Sequence, residues 1–239
     1  MQHTFVGNNK VKGKMYNIYN RIRAYLFGLL DAKFATETER MAYFCSFISN
    51  YDFDSLLDLG CGKGMLFDNI VDPAKSKLLV GVDLTKNSKK HHQHIVADAT
   101  KLPFKILLFS WSLFLVSWSI LPKMKGKRYT EMTRVIKKEG IFTVRLPNRY
   151  SIIESHTYLP FFGFLPSSMH SFAYRGEYVA VPSLKVVINS LKKYHFEICD
   201  IKKYTGSFLP FGSFLSKIGL FGIFPMGYMI YARAKNQCP

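Results

Sequence analysis

Apolar positions recur along the chain in two alternating rhythms. Across residues 15–30 (MYNIYNRIRAYLFGLL), Ile18, Ile22, Tyr25, Leu26 and Leu29 fall at helical spacing, which predicts an amphipathic helix. A second helix is expected over 37–49, with Thr36 as its N-cap and Glu39 at its third position. Short apolar runs then take over. Residues 55–59 lead into the glycine cluster GCGKG, a helix is expected over 63–71, and 78–82 is a continuous apolar run ending in Asp83. Runs without polar alternation suit strands buried on both faces of a parallel sheet. Further strands are expected at 94–97 and 113–117, followed by a helix over 127–138 with Gly140 just past its end. A fifth strand over 141–146 is closed by Pro147; a helix over 183–193 and strands near 195–203 and 226–234 complete the pattern.

Strands alternating with helices predict an α/β chain with a doubly wound, mostly parallel, seven-stranded sheet and helices on both faces. An aromatic stretch rich in Pro and Gly, 148–182, interrupts this rhythm after the fifth strand and reads as a functional insertion or lid. At 239 residues the expectation is one domain. It would comprise an N-terminal helical cap (1–50), a ligand-binding core (51–147), the insertion (148–182) and a C-terminal completion of the sheet (183–239).

Composition narrows the classes. With 48% apolar and 21% charged residues, the chain is not of the disordered type. The longest uncharged apolar run, 106–121, falls short of the ~20 residues that span a bilayer. The apolar stretch 207–232 is broken by Pro210, Lys217 and Pro225. The N-terminus lacks the apolar segment of a signal peptide, so a cytoplasmic protein without a transmembrane segment is expected, with membrane contact limited to the periphery. Cys45, Cys61, Cys199 and Cys238 lie far apart without a CxxC pair, which argues against a disulfide framework or a zinc site. The cluster His91, His92 and His94 reads as a solvated helix end, and no metal is expected.

Net charge is +17, which favours anionic partners such as nucleic acid, phosphorylated compounds or acidic membrane surfaces. It is unevenly spread. Residues 101–150 hold eleven basic and two acidic side chains, whereas 51–100 hold six basic and seven acidic. Positive charge does not draw a ligand to 51–100.

That segment carries the most informative motif, Asp58-Leu59-Gly60-Cys61-Gly62-Lys63-Gly64. Glycines at 60, 62 and 64 let a strand turn sharply and bring bare backbone against a ligand, and the following helix offers unpaired N–H groups. An ordinary strand-to-helix turn would use the same residues. The dinucleotide pattern GxGxxG requires glycine at 65, where this chain has Met65. Asp58 would sit poorly beside a pyrophosphate but suits a ligand carrying an ammonium group.

SLLDLGCGKG resembles the first motif of the class I S-adenosylmethionine-dependent methyltransferases, a large family on a Rossmann-like sheet. Further matches follow in order: VGVD ending in Asp83, VADATKLPF containing Asp98, and EMTRVIKKEGIFTVRLPN, similar to the helix and fifth strand of the small-molecule branch. The resemblance covers about 53–148. It implies S-adenosylmethionine as cofactor, held by Asp58, Gly60, Cys61, Gly62, Gly64, Asp83, Leu84, Asp98, Ala99 and Ser117. Asp83 would take the two ribose hydroxyls and Asp98 the adenine amino group, with Ala99 offering its N–H. Phe114 stands where family members often carry an acid.

Ligands of open α/β sheets sit beyond the carboxyl ends of the strands, so the acceptor is expected after the fourth and fifth strands. Trp118, Asn148, Tyr150 and Tyr158 are the substrate candidates, and His156 is the candidate base. The fifth strand ends in LPN rather than the NPPY-type motif of enzymes that methylate exocyclic base amines. The expected activity is therefore methyl transfer to a small-molecule or lipid-like acceptor. RNA is the competing acceptor, because of the net charge, and a non-catalytic cofactor-binding relative is the third reading, because of Phe114.

Overall fold

The computed structural model describes residues 37–47, 53–70, 78–86, 93–114, 126–152, 161–165, 181–205 and 217–235, with Arg21 and Glu154. The chain divides into two compact units. One comprises 35–148, 181–204 and 227–239; the other comprises 1–34, 149–180 and 205–226.

The first unit is built on one seven-stranded sheet in the order β3-β2-β1-β4-β5-β7-β6. The strands are β1 (Ser55–Leu59), β2 (Leu78–Asp83), β3 (Gln93–Val96), β4 (Phe109–Phe114), β5 (Ile136–Pro147), β6 (Phe196–Tyr204) and β7 (Gly227–Ala234). β1 to β5 pair in parallel, and β7 enters antiparallel between β5 and β6. Strand order therefore reverses at β1 and β4, where ligand crevices form in this architecture. The expected Rossmann-like α/β class, strand number and mostly parallel pairing are observed.

Among the described residues this unit has four helices: α1 (Glu37–Cys45), α2 (Met65–Ile70), α3 (Gly126–Val135) and α4 (Leu184–Lys193). Helices cover both faces. Met132 and Val135 of α3 and Val187 and Leu191 of α4 share one core with Leu57, Val80, Phe142 and Ile230. Above it the Tyr129 and Tyr194 rings stack at 5.1 Å. The next residue after Ile230 points the other way, as strand alternation requires. There the Tyr231 hydroxyl donates to the Phe47 carbonyl just past α1 (2.6 Å), and the Arg145 guanidinium lies 4.2 Å over the Phe44 ring.

Boundaries depart from the sequence expectation at three places. The helix expected over 37–49 ends at Cys45, and its expected N-cap Thr36 lies outside the described residues, as does the helix over 15–30 apart from Arg21. β4, described over Phe109–Phe114, begins four residues before the expected 113–117, of which 115–117 lie outside the described residues. The surrounding run is apolar throughout, so no periodicity marks which residues pair; pairing with β1 (Leu56 beside Trp111) and with β5 selects the segment that buries Phe109 and Trp111. The helix expected over 127–138 ends at Val135, and Ile136 already pairs with Phe109. Gly140 is thus not a helix cap but part of an irregular stretch of β5. A Cβ there would lie 2.7 Å from the Ile136 side chain and 2.8 Å from the Lys137 carbonyl, so the chain packs closer than any side chain allows. The preceding Glu139 takes φ +61°.

In the second unit the described residues form a 3₁₀ turn, Phe162–Phe164, and a short helix α5 (Leu220–Ile223). The Phe161 N–H donates to the Ile152 carbonyl (2.6 Å), and the Tyr150 and Phe164 rings lie 5.4 Å apart.

Leu57 is fully buried in the central strand. Leu57→Ala should cost about 2–5 kcal/mol of stability through lost burial and a residual cavity, read as a lower midpoint in denaturant unfolding.

Candidate functional site

β1 is buried along its whole length, and its fourth residue is a carboxylate. Asp58 is 3% exposed and lies between Gly81 of β2 and Leu113 of β4 at the point where strand order reverses. Among the described residues its Oδ1 has no hydrogen-bond partner. Desolvation, with a smaller contribution from the charge of Asp83, pushes its pKa up to about 8. Burial, and then the field of Asp58, likewise pushes the thiols of Cys45 and Cys61 up to about 12, so neither is a thiolate at neutral pH.

The turn after β1 takes left-handed backbone at Gly60, Gly62 and Gly64, with φ of 77°, 52° and 74°. Its amides are already engaged. Gly60 and Cys61 both donate to the Val82 carbonyl, Gly62 donates to Asp83 Oδ2 (3.0 Å), and Gly64 donates to the Cys61 carbonyl. The backbone amides of residues 60, 61, 62 and 64 are thus engaged within the protein. Gly62 adds space: among the described residues, no atom beyond its chain neighbours lies within 4 Å of where its Cβ would be. The Cys61 side chain is buried and belongs to the core rather than to the opening.

Asp83 ends β2. Its Oδ1 accepts from the Thr85 N–H and hydroxyl, and its Oδ2 accepts from Gly62. Partial burial acts to raise its pKa, but the hydrogen bonds from Thr85 and Gly62 outweigh it and hold the carboxyl below the usual range. Asp83 thus ties β1's turn to β2 while remaining ionised. Thr85 was not singled out from sequence, although Asp followed two residues later by Thr is the spacing of a side-chain-closed turn. Leu84 between them is 68% exposed.

Past β3, the Ala97 N–H donates to the Asp83 carbonyl, which brings the third strand end beside the second. Asp98 Oδ1 accepts from the Thr100 N–H (2.8 Å) and lies 4.0 Å from Arg128. Its side chain remains half exposed, with Ala99 in the same turn. The structure therefore brings Asp58, the glycine turn, Asp83, Leu84 and Asp98 to adjacent carboxyl ends of β1, β2 and β3. His94 lies within β3 itself.

Asn148 follows β5 directly. Tyr150 belongs to the second unit, where it is exposed, with the Arg149 guanidinium 5.7 Å from its ring. Ser117, Trp118, His156 and Tyr158 lie outside the described residues, as does the Phe114 side chain.

Chemically, this end of the sheet offers an unpartnered buried carboxylate, a second ionised carboxylate with spare acceptor capacity, a third at the rim, and open volume over a glycine turn. It suits a ligand with a cationic nitrogen at one end and hydroxyl and amino donors further along.

Residues 57–144 match the family model described as Methyltransferase domain. Among solved structures, an S-adenosylmethionine-dependent methyltransferase from Mesorhizobium loti shares 14% identity at a TM-score of 0.56, over 81% of this chain and 97% of that one. A methyltransferase of the same description from Methanosarcina mazei shares 15% at 0.51, over 80% and 97%. The Burkholderia thailandensis 1,6-didemethyltoxoflavin-N1-methyltransferase, solved with 1,6-didemethyltoxoflavin and S-adenosylhomocysteine, shares 11% at 0.51, over 99% and 94%. No curated protein matches the sequence.

The raised pKa of Asp58 has a direct consequence for stability. Between the usual carboxylate range and about 8, the unfolded chain releases this proton while the folded protein keeps it. Stability of the ligand-free protein should therefore fall as pH rises through that interval, by at most about 1.4 kcal/mol per pH unit from this group. Asp58→Asn removes that contribution. Thermal unfolding of the ligand-free proteins should show the variant gaining on the wild type as pH rises from about 5 to 8; a gap that stays constant would contradict the buried, unpartnered carboxylate.

Proposed function

We propose that this chain, whose residues 57–144 match a methyltransferase domain, is a class I S-adenosylmethionine-dependent methyltransferase that transfers the cofactor's methyl group to a small organic or lipid-like acceptor. The observation that carries the reading is Asp58 Oδ1, a buried carboxylate oxygen without a partner beside an open glycine turn. Leaving such an atom unsatisfied costs about 1–3 kcal/mol, and the ammonium group of the cofactor's methionine portion supplies both the missing donor and the counter-charge. The residues present fit the cofactor.

Asp83 takes the ribose. Its Oδ2 carries one hydrogen bond from Gly62, which leaves acceptor capacity for adjacent hydroxyls. Asp98 and the Ala99 N–H take the edge of the base, and Leu84 offers it an exposed apolar surface. Ser117 is assigned to the cofactor by resemblance alone.

When bound, S-adenosylmethionine supplies a methyl group already activated by the positive charge on sulfur. The protein's own contribution is alignment. Three separated carboxylates fix one reactant, and Trp118, Asn148, Tyr150 and Tyr158 are the acceptor-side candidates by sequence order alone. Such positioning can contribute up to ~7–11 kcal/mol to rate. A base is needed only where the acceptor must lose a proton, and His156 is the candidate for that role.

A small acceptor is supported by the Leu146-Pro147-Asn148 ending of β5, by the aromatic insertion that follows, and by the Burkholderia relative's bound 1,6-didemethyltoxoflavin. RNA is the second reading, favoured by the net charge of +17. Radiolabelled methyl transfer into fractionated small-molecule, lipid and RNA pools separates them. Label is expected in a small-molecule or lipid fraction; label confined to RNA overturns the acceptor class, and label in no fraction overturns the catalytic reading. In parallel, mixed RNA should bind weakly and with little change from low to moderate salt, whereas a genuine RNA enzyme would show steep counterion-release dependence.

Asp83→Ala removes hydrogen bonds to a charged acceptor and should weaken S-adenosylhomocysteine binding by about 1.5–3 kcal/mol in titration calorimetry. Unchanged affinity would contradict the ribose assignment.

A further inference from the structure

One face of α3 turns three charged side chains at positions i, i+3 and i+6 toward a single stretch of chain that starts at Asp98. Arg128 lies 4.0 Å from Asp98. Glu131 Oε2 accepts from the Leu102 N–H at 2.7 Å. Arg134 donates to the carbonyls of Phe104 (2.6 Å) and Leu102 (2.9 Å) while its guanidinium grips both oxygens of Glu131 (2.9 and 2.7 Å). The pair is partly buried, with Glu131 18% and Arg134 29% exposed.

This is more than a loop needs in order to stay folded. Leu102 is buried and Phe104 packs edge-on against Phe109 at 5.1 Å, so apolar anchors already hold the segment against the sheet. Apolar contacts are non-directional and leave the main chain free to slide and rotate over them. The Glu131–Arg134 fork is directional: it fixes one amide and two carbonyls of 102–104 at once. Charge-assisted, bidentate bonds add geometric specificity of this kind.

We propose that the charged face of α3 is a positioning device for the base-reading edge of the site, with Glu131 as its central positioning residue. Glu131 touches neither reactant. It acts through Leu102 and Arg134 on the 98–104 turn, and through that turn on where the Asp98 carboxylate and the Ala99 N–H stand relative to the adenine. Discrimination between adenine and a base lacking its amino group should depend on α3, although no side chain of α3 is asked to contact the base. The inference deepens the proposed function and rests on its assignment of Asp98 to the base edge.

The test uses the full chain and two arms. In the first, hydrogen exchange of the ligand-free protein is compared for wild type and Glu131→Ala. Amides of 98–104 should exchange at least about tenfold faster in the variant, while those of β1 and β5 keep their protection. Unchanged exchange at 98–104 overturns the proposal whatever the cofactor is. In the second, titration calorimetry measures S-adenosylhomocysteine and S-inosylhomocysteine, whose base carries oxygen in place of the amino group. Wild type should prefer the adenosyl compound by at least about tenfold, and Glu131→Ala should bring that preference close to one. Glu131→Gln, which keeps an acceptor for Leu102 but loses the charge pair, should fall between and serves if the alanine variant does not fold. A variant that binds both compounds more weakly in the same proportion is merely destabilised, and that result overturns the proposal. Failure of the wild type to bind S-adenosylhomocysteine overturns the methyltransferase reading, and is told apart from failure of the clamp by the exchange arm.

Discussion

A carboxyl group buried near the end of β1, without a hydrogen-bond partner for its Oδ1 among the described residues, is the constraint around which this site is arranged. Every other residue of β1 is apolar or small, strands pair on both sides of it, and Asp58 is buried among them. A charge in that position costs far more than a surface carboxylate and takes up a proton instead. The fold accepts the cost because Asp58 sits where the strand order reverses, with glycines and a second carboxylate immediately around it. A cationic group that arrives here displaces that proton and supplies the charge partner that the ionised Asp58 otherwise lacks.

The rest of the turn serves this arrangement by using up its own amides. Gly60, Cys61 and Gly62 donate to Val82 and Asp83, so β1's turn is clamped onto the end of β2. Asp83 is held ionised by the same bonds that hold it in place, and its charge in turn helps keep Asp58 protonated. The two acids are thus driven apart in ionisation: one neutral and waiting, one charged and fixed. Environment rather than residue type makes that difference.

How legible this was from sequence follows from how local each signal is. The strand-turn-helix at 55–70 and the acid ending β2 announce themselves within a few residues, and they are where expectation and structure agree most closely. Seven strands were countable for the same reason. The start of β4 was set too late because an apolar run without periodicity defines a strand only through its neighbours, here Leu56 and the irregular start of β5. The engagement of the glycine amides was invisible because their acceptor carbonyl and carboxylate lie about twenty residues downstream. So was the α3 clamp: Glu131 and Arg134 look like an ordinary helix-surface pair until Leu102 and Phe104, some thirty residues earlier, are brought beneath them.

Charge distribution gives the two reactants separate logics. The protein is strongly basic, yet the three strand ends that meet at the candidate site each carry an acid, and residues 51–100 are slightly negative as a whole. A cationic donor is favoured there by local carboxylates acting at short range in a sheltered site, where screening is weak. The excess of lysine and arginine lies elsewhere, above all in 101–150. Where it faces solvent it can influence an approaching partner by long-range steering that salt screens. Cofactor affinity that resists salt, beside acceptor capture that does not, is the behaviour such a division requires. A neutral acceptor would remove the second half of that pattern and leave the basic surface without a part in the reaction.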